Sequence, residues 1–176
     1  GSLPPGCPKS YYARLIRALS GTKSKCVLDA EGEAFTLGLA EGPYLVKPNK
    51  MELEKALGRA VSSLREAALG ALELLEKGAQ IAAVSLGKEG ALLGCEKGVF
   101  FAPALDVPVR STVGAGDSMV AGLLCALGAG ADAAEALRMG AACAAVCVTL
   151  AGTRPADAVS VRDLLGRIHV ERMNVS

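Results

Sequence analysis

The chain has 176 residues, 51% of them hydrophobic, 3% aromatic and with no Trp, at a formal net charge of +1. That is one domain or part of one, with enough apolar residues for a sizeable core and no electrostatic preference for nucleic acid, a membrane surface or stacked bases. No apolar run is long enough to span a bilayer and no signal peptide is visible, so a soluble, cytoplasmic protein that binds neither nucleic acid nor membrane is expected.

In chain order, Gly1-Ser2-Leu3-Pro4-Pro5-Gly6 reads as a loop, and Tyr11 to Leu19 as a helix ended by Ser20-Gly21. Cys26-Val27-Leu28-Asp29 is a short buried strand, Glu31 to Leu39 a helix stopped by Gly42-Pro43, and Tyr44-Leu45-Val46 a second strand. Pro48 ends that strand. Asn49 then stands where it caps a helix over Lys50 to Leu57, with Glu52 completing a capping box. Ser62 to Lys77 is amphipathic, with a stripe of Leu64, Ala67, Ala68, Ala71, Leu72 and Leu75, and Gly78 stops it. Ile81 to Leu86 is an apolar strand, followed by Gly87-Lys88-Glu89-Gly90. Ala91–Gly94 and Val99–Ala102 read as paired strands around Glu96-Lys97-Gly98.

Val107 to Arg110 leads into Ser111-Thr112-Val113-Gly114-Ala115-Gly116-Asp117. Two helices follow, Ser118 to Leu127 and Ala133 to about Leu150, both apolar enough to be buried on most sides. A polar helix over Val161 to Ile168, after Gly152-Thr153-Arg154-Pro155, and a short tail complete the chain. Strands alternating with helices predict a parallel α/β sheet covered on both faces, with ligands beyond the carboxyl ends of the strands. Asn49, Gly87 and Gly114 are all expected just past strand ends, where their motifs meet in one crevice.

The six cysteines, Cys7, Cys26, Cys95, Cys125, Cys143 and Cys147, contain no C-x-x-C, and most sit in apolar runs. Buried, reduced thiols are expected, with Cys143 and Cys147 sharing a helix face. His169 reads as a surface or strand-edge residue.

The stretch that carries chemistry is Gly114 to Asp117. Backbone N–H groups at a helix start lack intrahelical acceptors and attract anions, and glycines let that backbone come close to a ligand. An acid there repels phosphate, unless it takes the proton from a hydroxyl that attacks the phosphorus. The competing account is a glycine turn with Asp117 as N-cap. No G-x-x-x-x-G-K-[ST] is present. Gly128, Gly130 and Ala133 follow an apolar helix, so they mark a helix–helix turn and not a dinucleotide fingerprint.

Ser111 to Leu124 resembles the second signature of the PfkB/ribokinase sugar-kinase family. G-S-L-P-P-G, L-D-x-x-G-E-A, K-P-N-x-x-E-L, V-S-L-G-x-x-G-A-L-L and S-T-V-G-A-G-D-S-M-V-A-G occur in that family's order. The resemblance spans the chain and is closest to the 1-phosphofructokinase branch. It implies a three-layer αβα ribokinase-like fold with a mostly parallel sheet. Residues 1–176 would be the C-terminal portion of one kinase domain whose N-terminal part, with the lid and most sugar ligands, is missing. It implies Asp117 as catalytic base, Gly114, Ala115 and Gly116 as anion hole, and Ser85, Gly87, Gly90 and Thr112 as ATP-binding. Asn49 and Glu52 would serve metal and phosphate, and Ser2 would lie in a sugar-phosphate loop.

The implied reaction takes ATP, with Mg2+, and D-fructose 1-phosphate to ADP and fructose 1,6-bisphosphate. The implied partner is a small phosphosugar, and the implied assembly a homodimer of the full-length parent. Two departures stand out. Ser111 replaces the ribokinase aspartate that helps bind a monovalent cation, which leaves potassium activation of that type unsupported. Asp29-Ala30-Glu31-Gly32 replaces a more usual Asp-Thr-Ser-Gly. The alternatives are a truncated, non-catalytic nucleotide-binding fragment and a kinase for fructose 6-phosphate or tagatose 6-phosphate.

Overall fold

The computed structural model describes residues 1–152 and 154–175. Thr153, in the predicted connection to the last helix, therefore lies outside the described residues. Among the described residues seven α-helices and six strands are formed, and the strands are ordered β1-β2-β3-β4-β5-β6 in one sheet. The chain divides into two compact units, Gly1–Ser85 with Gly94–Val99 and Asn174–Ser176, and Leu86–Leu93 with Phe100–Met173.

The first unit carries α1 (Tyr11–Leu19), β1 (Val27–Leu28), α2 (Gly32–Leu39), β2 (Leu45–Val46), α3 (Lys50–Leu57), α4 (Leu64–Glu76) and β3 (Ile81–Ser85). These follow the predicted elements to within a residue or two, the usual uncertainty of element ends. The three strands are parallel, with Val27 opposite Leu45 and Leu45 opposite Ile81. Leu45, Val46, Ala82, Ala83 and Val84 have no exposed surface. Such continuous apolar runs are what strands buried on both faces require.

The predicted stripe on α4 needs correcting. Ala67, Ala68, Gly70, Ala71 and Leu74 are buried, whereas Leu64, Leu72 and Leu75 are only half-buried. Gly70 faces inward because Leu53 and Leu57 of α3 occupy the space beside it, and a Cβ there would stand 2.8 Å from Leu57 Cδ1. The helix starts where Ser63 accepts the Glu66 N–H at 3.1 Å. Hydrogen bonds from the Ser62 N–H and hydroxyl hold the Glu66 carboxyl below the usual carboxylate range.

β4 (Gly90–Cys95) and β5 (Gly98–Pro103) are joined by two residues, a connection that only an antiparallel pair permits, so the sheet is mixed. The second unit adds α5 (Ala115–Gly128), α6 (Ala133–Thr149), α7 (Ala158–Leu165) and β6 (Glu171–Met173). Here the sequence reading moves in four places. First, α5 begins three residues before the expected Ser118. Second, α7 begins three residues before Val161, because the Asp157 carboxylate accepts the N–H groups of Val159 and Ser160 at 3.1 and 3.0 Å. Third, the tail forms β6, which no apolar pattern announces. Fourth, α5 is not buried on most sides. Only Met119, Gly122, Leu123 and Ala126 are buried, a single face at helical spacing, and Cys125 is exposed.

Of the cysteines, only Cys95 and Cys147 are buried, so the expectation of six buried thiols holds for two. Burial pushes the Cys143 thiol above its ordinary value. His169 is exposed, two residues before β6.

The seam between α5 and α6 depends on glycine. A Cβ on Gly122 would meet Met139 O at 2.7 Å and Gly140 Cα at 2.9 Å, both backbone atoms that cannot swing aside. Gly122→Ala is therefore expected to destabilise the protein by about 1–3 kcal/mol as the helices are forced apart. Gly128→Ala, at a helical position with nothing within 4 Å of its Cβ, should be neutral or stabilising by up to about 1 kcal/mol. Denaturant unfolding of the two variants checks the opposite signs.

Candidate functional site

In the first unit the candidate residues gather at the carboxyl ends of three parallel strands. β1 runs into Asp29, β2 into Lys47-Pro48-Asn49, and β3 ends at Ser85. Asn49 and Ser85 form a parallel bridge, and the Ser85 N–H donates to Pro48 O at 3.1 Å. This places the presumed metal and phosphate residue Asn49 beside the presumed ATP residue Ser85. The loop containing Ser2 begins beside Asp29, whose carbonyl accepts the Gly1 ammonium, and the Tyr12 hydroxyl donates to Gly1 O at 3.4 Å. Ser2 itself is exposed.

Asn49 is the N-cap of α3. Its Oδ1 accepts the Glu52 N–H at 2.9 Å, and Glu52 Oε2 accepts the Asn49 N–H at 2.8 Å. The capping box predicted from sequence is complete. Glu52 also borders a cleft of about 240 Å³ between α2 and α3, with Glu31, Phe35 and Lys55.

Lys47 was not among the residues expected from sequence. It is 5% exposed, and its ammonium lies 3.5 Å from Asp29 Oδ2. A buried ammonium is costly unless a counter-charge is at hand, and the neighbouring parallel strand supplies one. The signal available in the sequence was a lysine directly after an apolar strand. Its partner lies 18 positions away on another strand, so only the pairing of β1 with β2 discloses it.

In the second unit, Gly87–Glu89 makes one 3-10 turn, closed by Leu86 N–H donating to Gly90 O at 2.8 Å. Gly90 has φ 119°, and a Cβ there would stand 2.8 Å from Ala104 N, so this glycine is required by the close approach of the backbone after β5.

Gly114 does not lie just past a strand. Residues 104–113, including Val107–Arg110, form neither helix nor strand. Gly114 is the N-cap of α5, in the left-handed conformation at φ 80°, with no side-chain cap bond. Asp117 is therefore the third residue of the helix and not its N-cap, and its side chain is exposed. The Ala115 N–H turns back to Thr112 O at 3.3 Å, and Ser118 N–H donates to Gly114 O at 2.9 Å. The N–H groups of Gly116 and Asp117 have no acceptor among the described residues. These two amides, beside an exposed carboxylate, are what the turn offers to an anion. Thr112 is exposed in the approach to it.

Comparison with known proteins bears on the family and the fold. A family model described as "pfkB family carbohydrate kinase" matches residues 1–158. A 1-phosphofructokinase of Haloferax volcanii is 43% identical over 171 residues, 97% of this chain and 54% of that protein. Phosphofructokinase-2 of Escherichia coli, solved in complex with potassium, superposes with a TM-score of 0.90 at 33% identity, covering 95% of this chain and 55% of that one. Ribokinase of Arabidopsis thaliana, solved with ribose and ATP, gives a TM-score of 0.78 at 25% identity over 90% of this chain and 53% of that one. The fold is thus the ribokinase-like αβα fold expected from sequence, and the chain spans about half the length of the curated relatives it matches.

The capping role of Asn49 separates from any role toward a ligand by substitution. Asn49→Ala is expected to lower stability by about 1 kcal/mol, whereas Asn49→Asp, an equally good cap, should stay near wild type. Urea denaturation of both variants checks this, and equal losses would show that the cap is not what the side chain contributes.

Proposed function

The chain belongs to the pfkB family of carbohydrate kinases, and on that premise we propose that its activity is ATP-dependent phosphorylation of a sugar phosphate, D-fructose 1-phosphate giving fructose 1,6-bisphosphate. The observation that carries the reading is the start of α5. A left-handed glycine cap leaves two amides without acceptors among the described residues, beside an exposed carboxylate. An anion site coupled to a base suits phosphoryl transfer, in which catalysis is mostly positioning and charge stabilisation. The similarity to a 1-phosphofructokinase favours the C6 hydroxyl of fructose 1-phosphate as acceptor over other phosphosugars.

In this reading Asp117 accepts the proton of the attacking hydroxyl as its oxygen bonds to the γ-phosphorus of ATP. The bond from that phosphorus to the β–γ bridging oxygen breaks, and ADP leaves. In place of the anion hole expected from sequence at Gly114, Ala115 and Gly116, the Gly116 and Asp117 amides hold the transferred group's oxygens, because the Ala115 N–H is engaged by Thr112 O, and Ser85, Gly87, Gly90 and Thr112 contact the nucleotide.

A magnesium ion fits the oxygen donors at Asn49 and Glu52, because magnesium keeps several waters and is held through one or two carboxylates. When bound it would neutralise charge on the nucleotide phosphates. Glu52 spends Oε2 on the Asn49 amide, so it would meet a metal-bound water through Oε1. The homodimer and the cytoplasmic location expected from sequence are part of the same proposal. Among the described residues no helix is long and apolar enough to cross a membrane.

Two measurements on the full-length protein test the reading. Asp117→Asn keeps the shape but cannot take a proton, and should lower kcat by roughly 10²–10⁴ with ATP affinity, measured by calorimetry, nearly unchanged. Near-normal turnover in that variant would remove the base assignment. A coupled ADP-release assay over fructose 1-phosphate, fructose 6-phosphate and tagatose 6-phosphate should give the highest kcat/KM with the first. Preference for either of the others would reassign the substrate within the same chemistry, and no turnover with any would favour the non-catalytic alternative.

A further inference from the structure

Several observations in the second unit converge on the last turn of α6. Val148 O accepts the Arg110 N–H at 2.8 Å and the Ser111 N–H at 3.3 Å. Ser111 Oγ accepts the Val113 N–H at 3.2 Å. Cys147, 1% exposed, places its Sγ 3.6 Å from Val113 O, with Arg154 O farther away at 3.9 Å. A Cβ on Gly114 would stand 3.7 Å from the same sulfur. The segment 104–113 has no ladder or helix of its own. Its path into α5 is therefore set by what it leans on, and the last turn of α6 is what it leans on.

We propose that Cys147 is a positioning residue for the turn that opens α5. Its thiol donates to the Val113 carbonyl and its sulfur backs Gly114, and together these fix the direction in which the Gly116 and Asp117 amides point. A thiol has one proton, and the nearer acceptor is Val113 O. Losing that donor leaves a carbonyl beside a buried side chain without its partner, while the glycine keeps its own left-handed preference. The expected consequence is a loosened turn in a folded protein.

The proposal rests on the kinase reading only in its catalytic part, so the test has a part that does not depend on turnover. Three variants are made in the full-length protein. Cys147→Val keeps the bulk without a donor, Cys147→Ala removes the thiol without adding branched bulk, and Cys147→Ser restores a hydroxyl donor. Amide hydrogen exchange of Val113 and Ala115, whose N–H groups donate to Ser111 Oγ and Thr112 O, should rise about fivefold in the absence of ligand in the Val and Ala variants and return toward wild type in the Ser variant. With substrates, kcat should fall in the first two and recover in the third, while KM for the sugar phosphate stays put. Unchanged exchange at Val113 and Ala115 in the Ala variant would overturn the proposal. So would exchange that rises equally along all of α6 and is not recovered by serine, since that pattern describes general packing. Failure of the kinase reading would look different, as a wild-type protein without turnover whose exchange pattern still responds to residue 147.

Discussion

Leu45 and Val46 carry the register of the first unit. They are the whole of β2, they have no exposed surface, and they pair in parallel with β1 on one side and β3 on the other. A strand this short has no surplus pairing to absorb error. A slip of one residue would turn Lys47 onto a face now filled by apolar side chains and would part it from Asp29. The ion pair and the apolar strand therefore specify the same register, one by the penalty on an unpaired buried charge and the other by burial. Parallel pairing also has a positional consequence. Each strand delivers its next residues to the same edge of the sheet, which is why Asp29, Asn49 and Ser85 come together although 56 positions separate the first from the last.

The second unit is held by close approach instead of strand register. At the seam of α5 and α6, backbone sits where a side chain would otherwise be, because Gly122 and Gly140 face each other. That contact brings the C-terminal end of α6 under the segment that enters α5. The irregular residues 104–113 then need only a few hydrogen bonds, to Val148 O and near Cys147, to be placed. Two helices that read as ordinary apolar packing thus support the turn that opens α5. The exposed flank of α5 follows from the same arrangement: one face meets α6, and Ala121 and Cys125 are exposed.

Much of this was legible in the residues. Asn49 followed three positions later by Glu52 names a capping box, and the box is there, because both partners lie within one helical turn. The apolar runs at Leu45 and Ile81 announce buried strands, and the motif order announces the family. The misses share a cause. The helix reads from the local pattern as starting at Ser118, yet Gly114 opens it, because the turn leading into α5 rests on the end of α6. The stripe read on α4 holds for Ala67, Ala68 and Ala71 but not for Leu64, Leu72 and Leu75, and Gly70 takes the inner face beside Leu53 and Leu57. β6 is polar and became a strand only by pairing.

The sequence by itself determined the alternation of elements, the cap at Asn49, and the family to which Ser111–Leu124 points. Each of these depends on residues within a turn or two of one another, where spacing translates directly into geometry. The tertiary structure decided that Lys47 is buried against Asp29, that Gly114 and not Asp117 caps α5, and that Cys147 backs the turn beneath them. The Lys47–Asp29 and Cys147–Val113 contacts join residues 18 and 34 positions apart, and no period in a chain specifies which distant groups will meet until the strands and helices have packed.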